Sequence, residues 1–239
     1  MNTMADTKKK TDIPFPTAES YGKDPAAIPG TDILKDAASL NDAYDFVKMK
    51  KRLAKKLDPK RYEHSMGVAY TAAALAMAYD EDMIKAYTAG VLHDCAKCLS
   101  DEERDEYCKK YKVELTQIEK DHPFLIHAKL GAVLAKEKYG VEDPEILSAI
   151  RWHTTGRPDM TMLEAIIFSA DFIEPNRKPL ICLPKIRSII FSDMDMALYL
   201  ILEQTLVHLE HKGQAIDEYS MQAAEYYRKK INERQTNSK

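Results

Sequence analysis

Ala89-Gly-Val-Leu-His-Asp-Cys-Ala-Lys97 sets a histidine–aspartate pair directly behind an apolar run. The stretch reads as the end of a helix running from Glu81 to Lys97. Neighbouring side chains on a helix project about 100° apart, so His93 and Asp94 would reach adjacent faces. The two carboxylate oxygens of Asp94 could then bridge two metals. Lys97 lies four residues past His93, where its ammonium can reach the same side. The alternative for Lys97 is a surface lysine at a helix C-terminus, which the helix dipole also favours.

Working outward, the sequence reads as helix after helix. Phe46, Met49, Leu53 and Leu57 recur at helical spacing before Asp58-Pro59 stops the run. His64 to Tyr79 is apolar nearly all round, as expected of a buried central helix. Ser100 and Glu103 form a capping box for a helix over Asp101 to Lys110. Pro123 suits the first turn of a helix carrying Leu125, Ile126, Leu130, Val133 and Leu134. Asp143-Pro144 opens another, and Thr161 with Glu164 caps the one that reaches Asp171. Two long segments, about 193–211 and 217–234, close the chain on either side of Gly213. Ile186 to Phe191 is the best candidate for a strand, and it is short. The fold class is therefore all-α.

Histidine and carboxylate recur across these helices, at His64, His127, His153 and Asp171. Taken singly, a histidine in an apolar run is ordinarily a core residue bonded to backbone. Together with His93 and Asp94 they form a ligand set suited to a divalent transition metal. Asp171 sits in Ile166-Ile-Phe-Ser-Ala-Asp-Phe-Ile173, a run too apolar to hold an unpaired carboxylate, so a metal or an arginine must accompany it. His153 precedes Thr154-Thr155-Gly156, a turn whose hydroxyls and amides could face an anion. His122, just before Pro123, either caps the following helix or touches substrate. His208 and His211 read as surface residues.

Composition narrows the classes. The 239 residues are 45% hydrophobic and 31% charged with net charge -3, which allows one large core and offers no basic footprint for nucleic acid or an anionic membrane. No apolar run is long enough for a membrane span, and the N-terminus has no stretch of signal-peptide type. The four cysteines read as reduced thiols of a cytoplasmic protein. Cys95-Ala-Lys-Cys98 mimics a redox or zinc spacing, but it lacks a second pair and a strand–helix context. It reads instead as two small packed residues. Residues 1–38, with Lys8-Lys-Lys10 and Pro14, Pro16, Pro25 and Pro29, are expected to form an extended or disordered tail, ahead of a single helical domain over 39–235.

The order His64, His93-Asp94, Asp171 resembles the H…HD…D pattern of the HD superfamily of metal-dependent phosphohydrolases. Several stretches are similar to the bacterial symmetrical bis(5'-nucleosyl)-tetraphosphatases: Arg61-Tyr-Glu-His-Ser65, Ala89 to Asp94 with Lys97, His127-Ala-Lys-Leu-Gly131, Ala149-Ile-Arg-Trp-His-Thr-Thr-Gly156 and Ala170-Asp-Phe-Ile-Glu-Pro-Asn-Arg177. The resemblance runs from about residue 41 to about 230, and the N-terminal tail departs from it. It implies an HD-domain helical bundle around two divalent metal ions, commonly iron in this family, with manganese and zinc compatible with the ligands. By analogy His64, His93, Asp94 and Asp171 would hold one ion, and Asp94, His127 and His153 the other. Hydroxide generated there would attack phosphorus, with Lys97 neutralising charge, and diadenosine tetraphosphate would be cut at its centre into two ADP. Arg61, Arg177, Thr154, Thr155 and His122 are the candidates for holding substrate. Arg61 and Arg177 have a local alternative in Glu63 and Glu174. Another nucleotide phosphohydrolase of the superfamily and a non-catalytic nucleotide-binding module are the competing readings. The expected partner is a dinucleoside polyphosphate, not nucleic acid or membrane, with a homodimer left open.

Overall fold

The computed structural model describes residues 44–237, and the tail expected over 1–38 lies outside them. Among the described residues every regular element is helical: α1 (Phe46–Ala54), α2 (Pro59–Ala78), α3 (Met83–Leu92), α4 (Asp101–Lys110), α5 (Gln117–Asp121), a 3-10 turn (Pro123–Leu125), α6 (Ile126–Tyr139), α7 (Pro144–Trp152), α8 (Met162–Ile173), α9 (Leu183–Ile189), α10 (Met194–His211) and α11 (Glu218–Asn237). None is long and apolar enough to cross a membrane.

Local chemistry explains where most of these helices begin. Asp58, Asp82, Asp143 and Asp193 accept backbone N–H groups as N-caps of α2, α3, α7 and α10. Ser100 with Glu103 and Thr161 with Glu164 form complete capping boxes, satisfying donors the first turn leaves free. A third box, Thr116 with Glu119, opens the short α5, which the sequence pattern did not reveal. Gly213 takes φ 61 between α10 and α11, a left-handed conformation that suits glycine.

Helices α2, α3, α7 and α8 pack on one another to form the centre, α6 lies on α7, and the α10–α11 pair docks on α8. Leu53, Leu75, Leu92, Leu130, Ile146, Ile150, Ile166, Ile167 and Leu198 fill the interior. The closest approach is between α2 and α3. A Cβ on Gly90 would stand 2.6 Å from the Cα of Ala69, so only glycine lets the two backbones meet there.

One weak strand candidate is not realised, and two expectations need correction. Residues 186–191 are not a strand. Leu183, Ile186 and Ile190 are all buried, a spacing of three and four that turns one stripe of a helix inward, and α9 covers Leu183–Ile189. Helix α2 is central but not buried all round. Tyr70 and Met77, seven residues apart and so on one face, are exposed. Helix α3 ends at Leu92 rather than Lys97. Beyond it Cys95 N–H bonds to Leu92 O and Lys97 N–H to Asp94 O, tight i→i−3 turns, while the Gly90 carbonyl accepts from the His93 ring.

Gly90→Ala should lower the unfolding free energy by about 1–3 kcal/mol, the usual cost of overpacking. Urea unfolding followed by far-UV circular dichroism measures it, and an unchanged midpoint would mean that α2 and α3 can separate freely.

Candidate metal centre

Four imidazoles and two aspartates converge where the ends of α3 and α7, the second turn of α2, the first turn of α6 and the last turn of α8 meet. Asp94, 3% exposed, sits between two groups and gives one oxygen to each. Its Oδ2 faces His93 Nε2 at 3.5 Å and His64 Nε2 at 3.9 Å. Its Oδ1 faces His127 Nε2 at 3.3 Å and His153 Nε2 at 3.5 Å. Asp171 Oδ1 lies 2.9 Å from His64 Nε2. Two buried ligand triads result, His64–His93–Asp94 and Asp94–His127–His153.

The ring orientations follow from what holds each Nδ1. His93 and His153 stand at the C-caps of α3 and α7. There they donate to carbonyls of the last turn, Gly90 O at 2.7 Å and Ile150 O at 2.7 Å. His127 donates to Phe124 O at 2.5 Å, in the 3-10 turn before α6. His64 lies inside α2, where the neighbouring carbonyls serve the helix, and its Nδ1 meets Glu174 Oε1 at 3.1 Å. With every Nδ1 engaged as a donor, all four Nε2 lone pairs point to the centre.

That arrangement is costly without a cation. His127 Nε2 and His153 Nε2 face each other at 3.2 Å, lone pair toward lone pair. The Nε2 atoms of His64 and His93 are buried without a hydrogen-bond partner. Although His64 Nε2 is close to Asp171, the two are not aligned as donor and acceptor; they are spaced as two ligands of one ion would be. Ligand atoms about 2.1 Å from a small divalent ion lie about 3 Å apart at right angles, and the shorter separations here match that edge. The donor set fits divalent metal, with nitrogen and oxygen ligands that do not by themselves select which one.

Electrostatics differ across the centre. Burial raises Asp94 and Asp171, but the imidazoles outweigh it, with Arg177 adding for Asp171, so both carboxyls fall below the ordinary carboxylate range. Burial lowers His93, but the Asp94 carboxylate beside it more than compensates and leaves it raised. His127 is pushed down to about 3 by burial and then by the charges of Lys97 and His153.

Lys97 turns inward. Its Nζ is 3.0 Å from His127 Nε2, and burial lowers its pKa, with Arg61 and Arg177 adding to the shift. Arg61 donates to Asp94 Oδ2 at 2.8 Å and Arg177 lies 3.6 Å from Asp171 Oδ1, so both guanidiniums face the centre rather than Glu63 or Glu174. Both are about a third exposed, at its solvent side. Thr154 Oγ1 sits 3.1 Å from the Nε2 atoms of His127 and His153. Thr155 does not join it, because its hydroxyl bonds to Gly156 O. His122 makes no cap for the turn that follows, and its ring meets Phe124 edge-on at 6.1 Å. His208 and His211 are exposed. All four cysteines are free. Cys95 is packed with its thiol on Gly131 O, whereas Cys98 is exposed, because the chain has left the helix by that point.

Two residues behind the centre do more than the sequence reading assigns them. Glu174 reads there only as a local alternative partner for Arg177, and no spacing ties it to His64. Buried Glu164, read only as a capping residue, also accepts from Ser148 at 2.5 Å and pairs with Arg157 at 2.8 Å, tying the loop after His153 to α8.

An all-helical fold with a split histidine–aspartate centre around His93-Asp94 defines an HD-domain hydrolase, and residues 61–176 match the HD domain family. The symmetrical bis(5'-nucleosyl)-tetraphosphatase of Bacillus subtilis (strain 168) is 40% identical over 161 residues, 67% of this chain and 85% of that protein. The protein of the same name from Staphylococcus aureus is 38% identical over 186 residues, 74% of this chain and 92% of its own. A crystal structure from Clostridium acetobutylicum, described as a predicted HD superfamily hydrolase involved in NAD metabolism, superposes with TM-score 0.74 at 37% identity, covering 78% of this chain and 98% of that one. The chain belongs to the HD-domain family of symmetrical bis(5'-nucleosyl)-tetraphosphatases.

The shift of His127 has a consequence for stability. Between about 3 and the ordinary 6.5 the unfolded chain holds a proton that folded His127 refuses. Its contribution is therefore full above about 6.5 and shrinks as pH falls toward 3. His93 moves the opposite way, and the depressed carboxyls lose their contributions only at lower pH, so a variant isolates the effect. Urea midpoints of chelator-treated protein should fall less steeply between about pH 7 and pH 4 in His127→Gln than in the parent. Parallel slopes would contradict a neutral, buried His127.

Proposed function

We propose that the chain is a divalent-metal-dependent hydrolase that cuts diadenosine tetraphosphate at its centre into two ADP. The observation that carries this reading is the division of Asp94 between two histidine pairs, with Lys97, Arg61 and Arg177 around it. When bound, two such ions generate a nucleophile from water at neutral pH and polarise phosphoryl oxygens.

Everything else is the work of side chains. Asp94 and Asp171 stay ionised and supply the negative charge that balances the ions. His64, His93, His127 and His153 present their Nε2 atoms as ligands, fixed by what their Nδ1 atoms bind. Arg61 spends one N–H on Asp94, leaving other donors of its fork for phosphate oxygens. Arg177 stands 3.6 Å from Asp171, paired by charge rather than by a hydrogen bond. Lys97 is placed to offset charge as the phosphoanhydride breaks. A symmetric cut requires the polyphosphate to be held in one register, and the two arginines on the solvent side are the groups that would set it. Iron is the metal we infer from the family resemblance, and the reduced cysteines are consistent with the cytoplasm.

The decisive test is product analysis after incubating diadenosine tetraphosphate with protein loaded anaerobically with Fe(II) and, separately, Mn(II). ADP should be the sole product. ATP with AMP would refute the symmetric register, and no product from metal-loaded protein would refute the substrate assignment. Asp94→Ala should abolish turnover and metal retention while helicity by circular dichroism stays near that of the parent. Lys97→Met should lower kcat by about 10²–10³-fold, the scale of losing one charge-stabilising donor, with metal content unchanged. An unaltered kcat would return Lys97 to a bystander's role.

A further inference from the structure

The two halves of the centre are not equivalent, and the difference traces to one buried residue. Three of the four histidines lean on neutral backbone carbonyls three residues earlier. Only His64 leans on a carboxylate, that of Glu174, 110 residues away. Glu174 is 1% exposed and is built in. Its Oε2 accepts the Asn176 N–H at 2.6 Å. Its backbone carbonyl accepts from Arg187 at 2.8 Å, and the same guanidinium also holds the Ile173 carbonyl at 2.9 Å. Position 67 is glycine where a Cβ would lie 2.6 Å from Glu174 Oε2. The surroundings therefore make room for a carboxylate behind this one histidine.

A carboxylate accepting from Nδ1 makes Nε2 a stronger donor than a carbonyl does. The His64–His93 half also has Asp171 directly against His64. The His127–His153 half shares Asp94 but has no carboxylate of its own, and the Lys97 ammonium lies against His127. We propose that Glu174 is a positioning residue that, through His64, makes the His64–His93–Asp171 half the tighter of two metal sites, leaving the His127–His153 half as the exchangeable one. The inference rests on the reading of the site as a two-ion centre, but not on the identity of the substrate.

The test is metal retention, measured on full-length protein loaded with Mn(II) and equilibrated with graded EDTA, with bound metal counted by mass spectrometry. The parent should lose its ions in two separated steps. In Glu174→Gln, which keeps the size of the side chain and an acceptor oxygen, the later step should move to about 10–100-fold lower chelator, the range for loss of such a partner, while the earlier step stays in place. Glu174→Asp, which restores the charge, should recover part of the separation. His153→Gln should abolish the early step and spare the late one, assigning each step to its half. Metal-free Glu174→Gln should unfold at the same temperature as the metal-free parent, since a purely structural role would lower it. A single step in the parent, or an unmoved late step in Glu174→Gln, overturns the proposal. If these steps appear as stated and diadenosine tetraphosphate is not cleaved, the substrate assignment fails and the metal asymmetry stands.

Discussion

Asp94 is an anion, almost fully enclosed, whose two oxygens face two different pairs of imidazoles. Taking a carboxylate out of water costs several kcal/mol unless cations and donors replace the lost hydration. The fold brings those groups from α2, the end of α3, α6, α7 and the region around α8, so packing these helices together also assembles the centre. Of the helices, α2, α3, α6, α7 and α8 each deliver one or two side chains to that point or to the turn just beyond their ends.

Enclosing the imidazoles imposes a second condition, that each ring be held in one tautomer. A helix end solves this cheaply, because its last carbonyls have no intrahelical partner; His93 and His153 sit at such ends and consume them. His127 uses the carbonyl of the 3-10 turn that introduces its helix. His64 is inside a helix and has no such carbonyl, so the solution comes from across the core through Glu174. Glycine at 67 and 90 is the steric counterpart: one leaves space for that carboxylate, the other lets α2 and α3 approach closely enough to place His64 and His93 in the same group.

The cations then divide by depth. Lys97 is partly buried against His127, whereas Arg61 and Arg177 stay about a third exposed with donors to spare. On the proposed function, a polyphosphate approaching from solvent would meet the guanidiniums first and the ammonium last. Buried Glu164, bonded to Ser148, Thr161 and Arg157, ties down the loop after His153, in which Thr154 rather than Thr155 turns toward His127 and His153.

Much of this was legible in the chain because its causes are local. Capping residues, proline at first turns and apolar spacing mark helix starts within a few residues, and an ordered set of histidines and aspartates in apolar runs announces a buried cluster. The weak strand candidate at 186–191 rests on β-branched residues whose spacing is equally that of a helical stripe, an ambiguity that only packing against α8 and α10 resolves. The end of α3 at Leu92 depends on a ring taking a backbone carbonyl, and the role of Glu174 depends on a residue distant in sequence. The sequence by itself determined the helices and the chemistry of the ligands, since propensity, capping and ligand type act over a few residues. Which oxygen of Asp94 faces which histidines, and what stands behind each ring, was decided only by the tertiary structure, because those contacts join segments that come together only when the core closes.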